Sequence, residues 1–210
     1  LIPREYNLFN VVLLGGDEEL TDDGSVRTDT MIVVSVNKDT NTVSMMSFPR
    51  DLYVYVPTEA GAMMRLNSVY GFARSFGWQP SAFDLLRRTF AYNFGINVHH
   101  YALVNFGGFQ EIIDTLGGVP IAVDCAYQDY RLIGAELPDG AVVSEEDEDL
   151  YTIDVGYYEM SGAQALWYAR TRRSATDFDR GRRQQQILWA MWRQALDTGQ
   201  LSNLPQLWGQ

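Results

Sequence analysis

Arginine dominates the residues able to do chemistry in this 210-residue chain, and it recurs beside aspartate at turns and strand ends. Arg27-Thr28-Asp29-Thr30 leads into one predicted strand, Pro49-Arg50-Asp51 closes another, and Asp17 lies just past the first. A fourth group runs from Arg170-x-Arg172 to Asp177-x-x-Arg180-x-x-Arg183-Gln184. Arginine presents a planar fork of donors that matches phosphate oxygens, and it stays charged at every physiological pH. Several arginines with two or three carboxylates supply what a magnesium-assisted pyrophosphate site needs. Mg²⁺ takes one or two carboxylates plus phosphate oxygens, while guanidiniums neutralise the leaving and transferred groups. A single Arg–Asp pair reads as a surface ion pair worth little. Four such groups at strand termini, where α/β folds place their ligands, read as a site.

Other chemistries lack their residues. His99 and His100 are adjacent in a predicted strand, so they are expected on opposite faces and unable to chelate one metal. Cys125 is the sole cysteine, which excludes an internal disulfide and a Cys-based zinc site. There is no G-x-S-x-G elbow, and the glycine pairs Gly15-Gly16, Gly107-Gly108 and Gly117-Gly118 match neither a dinucleotide nor a P-loop fingerprint. The acidic run Glu145 to Asp149 reads as a solvated loop rather than a calcium site.

Sixteen basic and 27 acidic residues leave a net charge of −11, which argues against nonspecific binding to nucleic acid or an anionic membrane surface. The charge is not evenly spread. Lys38 is the only lysine, and from Arg170 to Arg183 six arginines stand against two aspartates, a local +4. At 46% hydrophobic and 20% charged residues, the composition is that of a globular chain, read as a single domain over residues 1–210. No apolar run approaches the roughly 18 to 20 residues needed to span a bilayer. The chain opens at Leu1 without an initiator Met, and the expectation is that an N-terminal segment has been removed.

These groups must be held by alternating strands and helices. Strands are predicted over Phe9–Leu14, Thr30–Val36, Thr42–Phe48, Val98–Val104 and Val119–Val123, the second and third joined as a hairpin by N-K-D-T-N. Ser81 caps a helix with Phe83, Leu86, Phe90 and Phe94 at helical spacing, and Asn105 or Gly107 opens another that stops at Gly117-Gly118. Ser161 caps a helix through Trp167, and Arg182–Leu196 forms the last. Residues 126–158 read as irregular, an insertion without a usable motif. The fold class is mixed α/β, a central mixed sheet flanked by helices in an αβα sandwich-like arrangement.

R-T-D-T, S-F-P-R-D-L-Y-V, L-N-S-V-Y-G-F-A, F-x-x-I-I-D-T-L-G-G-V and Y-A-R-T-R…D-F-D-R-G-R-R-Q-Q, in that order from about Asn10 to Trp192, resemble the LytR-CpsA-Psr family of bacterial cell-wall glycopolymer ligases. The resemblance implies that Asp17 and Asp29 are magnesium ligands, and that Arg27, Arg50, Arg170, Arg172 and Arg180 surround a pyrophosphate. It makes Asp177 the active-site aspartate of D-x-x-R and Gln184 the glutamine of R-Q, with Asn67 kept in Arg65-Leu66-Asn67, a stretch that often reads K-I-N. It also implies an apolar tunnel beside the sheet for the lipid tail, with the helices at Ser81–Phe94 and Gly107–Leu116 as candidate walls. Asp179 departs from the pattern, standing where the family often has Gly.

The implied activity is a magnesium-dependent phosphotransfer. A glycopolymer carried on polyprenyl pyrophosphate, such as a teichoic acid or capsular polysaccharide, is passed as its phosphate to a hydroxyl of peptidoglycan, with pyrophosphatase as a side activity. Arg50, Arg172, Arg180 and Asp177 are the expected catalytic residues. A carboxylate beside several arginines is a weak base, so Asp177 is expected to orient an arginine rather than take a proton. The expected location is the extracytoplasmic face of the cell membrane, behind a single-pass N-terminal anchor. The alternative from another class is a noncatalytic polyprenyl-pyrophosphate-binding or regulatory domain.

Overall fold

The structure, a computed structural model, describes residues 7–16, 27–130, 140–144, 149–173 and 176–199. The chain is mixed α/β and divides into two compact units, Leu1–Asn105 and Phe106–Gln210.

In the first unit the apolar run at Phe9–Leu14 lies within β1 (Leu8–Gly16). It pairs antiparallel with β2 (Thr28–Asn37), which pairs antiparallel with β3 (Thr42–Ser47). The predicted hairpin is present: Asn37 Oδ1 accepts the amides of Asp39 at 3.0 Å and Thr40 at 3.2 Å, and Asn41 takes the left-handed conformation at φ 53°. A short hairpin of β4 (Tyr53–Val56) and β5 (Ala62–Arg65) follows. Then come α1 (Leu66–Ser75), α2 (Ala82–Phe94) and β6 (His100–Val104), which returns parallel to β1. The four-stranded mixed sheet has the order β3-β2-β1-β6.

Val12, Leu14, Met31, Val33, Leu66, Val69, Leu85, Leu86 and Phe90 form its buried core. The large aliphatic and aromatic members each contribute roughly 1.5–3 kcal/mol. Ser81 caps α2 as expected, accepting the Asp84 amide at 3.3 Å. Asp84 is itself buried and holds Arg87 Nη2 at 2.8 Å and Arg88 Nε at 2.6 Å. Burial opposes its charge, and the two guanidiniums more than offset that, keeping the carboxyl below the usual range.

The second unit opens with α3 (Phe106–Thr115), ended by Gly117 and Gly118 at φ 81° and 96°, and continues into β7 (Val119–Val123). Residues 126–158 are not irregular where described. They contain β8 (Tyr127–Tyr130), β9 (Val142–Val143) and β10 (Leu150–Ile153) in the order β8-β10-β9, and β11 (Gly156–Met160), which pairs with β7. Strands of two to five residues are too short to display an alternating pattern, and β8, which ends at Tyr130, pairs with a strand that begins only at Leu150.

Two helices follow among the described residues: α4 (Gly162–Arg170) and α5 (Asp177–Asp197). Ser161 and Gln164 cap α4 reciprocally. A Cβ on Gly162 would lie 2.3 Å from the Gln110 carbonyl oxygen, so only glycine lets α4 approach α3 this closely. The core gathers Ile113, Val119, Ile121, Tyr127, Ile153, Trp167, Tyr168 and Ile187. Three elements extend beyond expectation. The L-N-S-V-Y-G-F-A stretch is the helix α1, where packing overrides the low helix propensity of Val69, Tyr70 and Gly71. Helix α4 runs on to Arg170, and α5 starts at Asp177 because Thr176 caps it, accepting the Asp179 amide at 3.3 Å. His99 precedes β6, and both histidine rings approach Phe9, at 5.7 and 5.2 Å, rather than facing apart.

Candidate functional site

In the first unit, the start of β2, the turn after β3 and the first turn of α1 bring Asp29, Arg50 and Asn67 together. Arg65, the residue before α1, provides no side-chain cap. The Pro49–Leu52 turn substitutes for it: the Asn67 amide donates to the Arg50 carbonyl at 3.1 Å, and the Leu66 amide to the Leu52 carbonyl at 2.8 Å. Fixed in this way, Arg50 donates Nη1 to Asp29 Oδ2 at 2.6 Å and Nε to Asp51 Oδ2 at 3.3 Å. Asn67 Nδ2 reaches Asp29 Oδ1 at 3.5 Å, while buried Thr28 donates to the Asn67 carbonyl at 3.3 Å. Arg50 and Asp29 side chains remain 23% and 32% exposed, open enough to meet a ligand. Arg27 is exposed just before β2, and Asp17 lies outside the described residues.

No three His, Cys, Asp or Glu cluster as a metal cage among the described residues. Mg²⁺ requires no such cage, because one or two hard carboxylates and phosphate oxygens suffice. The half-exposed Asp29 carboxylate is a donor of that kind.

In the second unit, the end of α4 and the start of α5 carry the remaining predicted residues. Arg170 is the last residue of α4 and lays its guanidinium 4.1 Å over the Phe106 ring. Arg172 is exposed two residues later. Asp177 and Arg180 share one face of the first turn of α5, with Arg180 Nη2 donating to Asp177 Oδ1 at 3.0 Å. Arg180 is buried while Asp177 is largely exposed, so the carboxylate holds the guanidinium from the solvent side.

The rest of the +4 window is structural. Arg183 has no exposed surface and lies against the rings of Tyr127 and Tyr168, at 4.6 and 5.2 Å. It donates to the carbonyls of Tyr168 and Thr171, and Gln184 Nε2 donates to that of Ala169 at 3.4 Å. The R-Q pair of α5 therefore clasps the carbonyls at the end of α4, those of residues flanking Arg170. Asp179 turns inward to this network: its oxygens accept Arg183 Nε at 3.0 Å, Arg182 Nη2 at 2.9 Å and the Tyr127 hydroxyl at 3.0 Å. Its extra charge is thus spent on neighbouring arginines.

Burial works against the charge of Asp179, and Arg182, Arg183 and Tyr127 outweigh that, holding its pKa below the ordinary range. Arg182 also grips Asp124 bidentately, at 2.7 and 3.0 Å, and this draws the Asp124 carboxyl down. Burial pushes the Tyr168 hydroxyl up to about 12. Asp124 and Tyr127 were silent in the sequence, because their partners on α5 lie 52 to 58 residues away.

The model of the LytR_cpsA_psr family matches residues 3–210, and the chain belongs to that family. It is 33% identical over 194 residues to the polyisoprenyl-teichoic acid–peptidoglycan teichoic acid transferase TagU of Oceanobacillus iheyensis, covering 91% of this chain and 53% of the relative. The chain thus spans about half the length of the curated relatives it matches. Among solved structures, B. subtilis TagV is similar at 26% identity and a TM-score of 0.66, covering 91% of this chain and 66% of that one. The LytR-CPS2A-psr family protein YwtF (TagT), solved with bound octaprenyl pyrophosphate lipid, shares the fold at 23% identity and a TM-score of 0.63, over 90% of this chain and 65% of that one.

Proposed function

We propose that this chain transfers a glycopolymer, as its phosphate, from a polyprenyl-pyrophosphate carrier to a hydroxyl of peptidoglycan. The relationship to TagU, a polyisoprenyl-teichoic acid–peptidoglycan transferase, supports the donor and acceptor classes. The observation that carries the reading onto this chain is that its motif arginines are oriented in advance. Arg50 is aimed by Asp29 at 2.6 Å, Arg180 by Asp177 at 3.0 Å, and Arg170 and Arg172 leave a clasped helix end. Donors fixed before the reaction stabilise developing charge without reorganising during it.

Arg27, Arg50, Arg170, Arg172 and Arg180, with Asn67, bind the pyrophosphate oxygens, while Gln184 steadies the end of α4 through the Ala169 carbonyl. Arg50, Arg172 and Arg180 neutralise the charge that accumulates as the bond between the two phosphates breaks and polyprenyl phosphate leaves. Asp177 acts as an orienting group, since its Oδ1 already accepts from Arg180. Asp17 and Asp29 would hold Mg²⁺, which when bound offsets negative charge on the pyrophosphate. Pyrophosphate hydrolysis follows as a side activity if water replaces the acceptor hydroxyl. The apolar tail lies in a tunnel beside the sheet, and the reaction takes place on the extracytoplasmic face, where carrier and wall meet. No helix of the described residues is long and apolar enough to cross a membrane.

The test is incubation with a polyprenyl-pyrophosphate-linked teichoic acid, peptidoglycan and Mg²⁺. Covalent attachment to the wall with release of polyprenyl phosphate is the expected result. Tight lipid binding without transfer would favour a regulatory binding domain instead.

A further inference from the structure

Residues 126–158 carry no motif, yet β8 supplies the carboxylate that holds the arginine-bearing turn after α4. Asp129 Oδ2 accepts the backbone amides of Arg172 at 2.6 Å and Arg173 at 3.4 Å, while its Oδ1 accepts the Tyr130 amide at 2.8 Å. Tyr130 extends the hold. Its hydroxyl accepts Arg173 Nη1 at 2.7 Å, its ring lies 5.0 Å from that guanidinium, and its carbonyl accepts Trp167 Nε1 at 3.1 Å. The turn is therefore tied through both kinds of backbone group: the Thr171 carbonyl by Arg183, the Arg172 and Arg173 amides by Asp129.

We propose that Asp129 is a positioning residue for pyrophosphate recognition, fixing the backbone from which Arg172 projects. The inference rests on the pyrophosphate reading above. A carboxylate repels an anion, so a favourable effect of Asp129 on anion binding must run through the amides it holds. Arginine loses considerable side-chain freedom when it binds, and a mobile backbone would add to that cost. Fixing the backbone beforehand lowers the ordering that the ligand must drive.

Octaprenyl pyrophosphate in detergent micelles, titrated against the whole chain, tests this with a thermal melt of every variant. Asp129→Ala is expected to weaken binding about tenfold, the equivalent of one hydrogen bond to a charged acceptor. Asp129→Asn keeps a side-chain oxygen for the two amides and is expected to bind within about threefold of the parent chain. In an Arg172→Ala background, Asp129→Ala should add no further loss, because its effect passes through Arg172. The inference is overturned if Asp129→Ala binds as tightly as the parent, or if its loss is fully additive with Arg172→Ala. It is equally overturned if Asp129→Asn loses tenfold while melting normally, a result that keeps the test decisive even if the alanine variant fails to fold. If the parent chain does not bind, or Arg172→Ala changes nothing, the pyrophosphate reading itself falls and takes this inference with it. Weak binding by Arg172→Ala alone removes only the role of Asp129.

Discussion

The Nε of Arg183 donates to Oδ2 of Asp179 at 3.0 Å, one turn back on α5, so a guanidinium with no solvent exposure finds its counter-charge on its own helix. Its remaining donors face the carbonyls of Tyr168 and Thr171 at the end of α4. One side chain thereby satisfies a helix terminus, neutralises a carboxylate and sets the base from which Arg170 and Arg172 extend.

Arg183→Ala strips that terminus of its donors and leaves buried carbonyls unpaired. The expected loss is ~3 kcal/mol, the scale of removing one partner from a buried pair. Denaturant unfolding measures it, and a loss below ~1 kcal/mol would show that the clasp is dispensable.

Arg172→Lys keeps the charge and removes the planar fork. The expected outcome is a rise of about tenfold in KM for the lipid-pyrophosphate donor, because an ammonium cannot make the paired contacts of a guanidinium. Steady-state transfer kinetics check it, and an unchanged KM would remove Arg172 from pyrophosphate binding.

Asp29→Ala removes both the orienting partner of Arg50 and a proposed magnesium ligand. Because the pair is partly exposed, stability should fall by less than ~1 kcal/mol. Transfer should be lost, and added Mg²⁺ should not restore it. Normal turnover at low Mg²⁺ would overturn the metal assignment.

Acid should act through Asp179. Its folded pKa lies below the unfolded value, so its contribution is full above about pH 4 and disappears as pH falls through the folded value. The stability gap between parent and Asp179→Asn is therefore expected to stay level from about pH 7 to 5 and to close in stronger acid. Tyr168 works from the other end. Its hydroxyl is raised to about 12, so the stability of its neutral form is complete below the unfolded value and is lost as pH climbs toward the folded one. Tyr168→Phe should flatten the alkaline part of the stability profile. Denaturant midpoints across pH measure both.

The motif order, the clustered arginines, the apolar strands and the caps at Ser81 and Ser161 were all readable along the chain, because each depends on residues within a few positions of one another. Local spacing also placed Asp177 and Arg180 for pairing once that stretch is helical. Tertiary structure alone decided which arginines are presented and which are built in. Arg172 and Arg183 are the same residue type eleven positions apart, yet one is exposed and the other sealed between two tyrosines. It alone turned Asp179 inward, and it alone brought Asp129, 43 residues from Arg172, onto the amides of the arginine turn. The reason is physical. A guanidinium carries the same charge and donors wherever it stands, and only the fold determines whether it is sealed against the protein's own carbonyls and carboxylates or set at the surface.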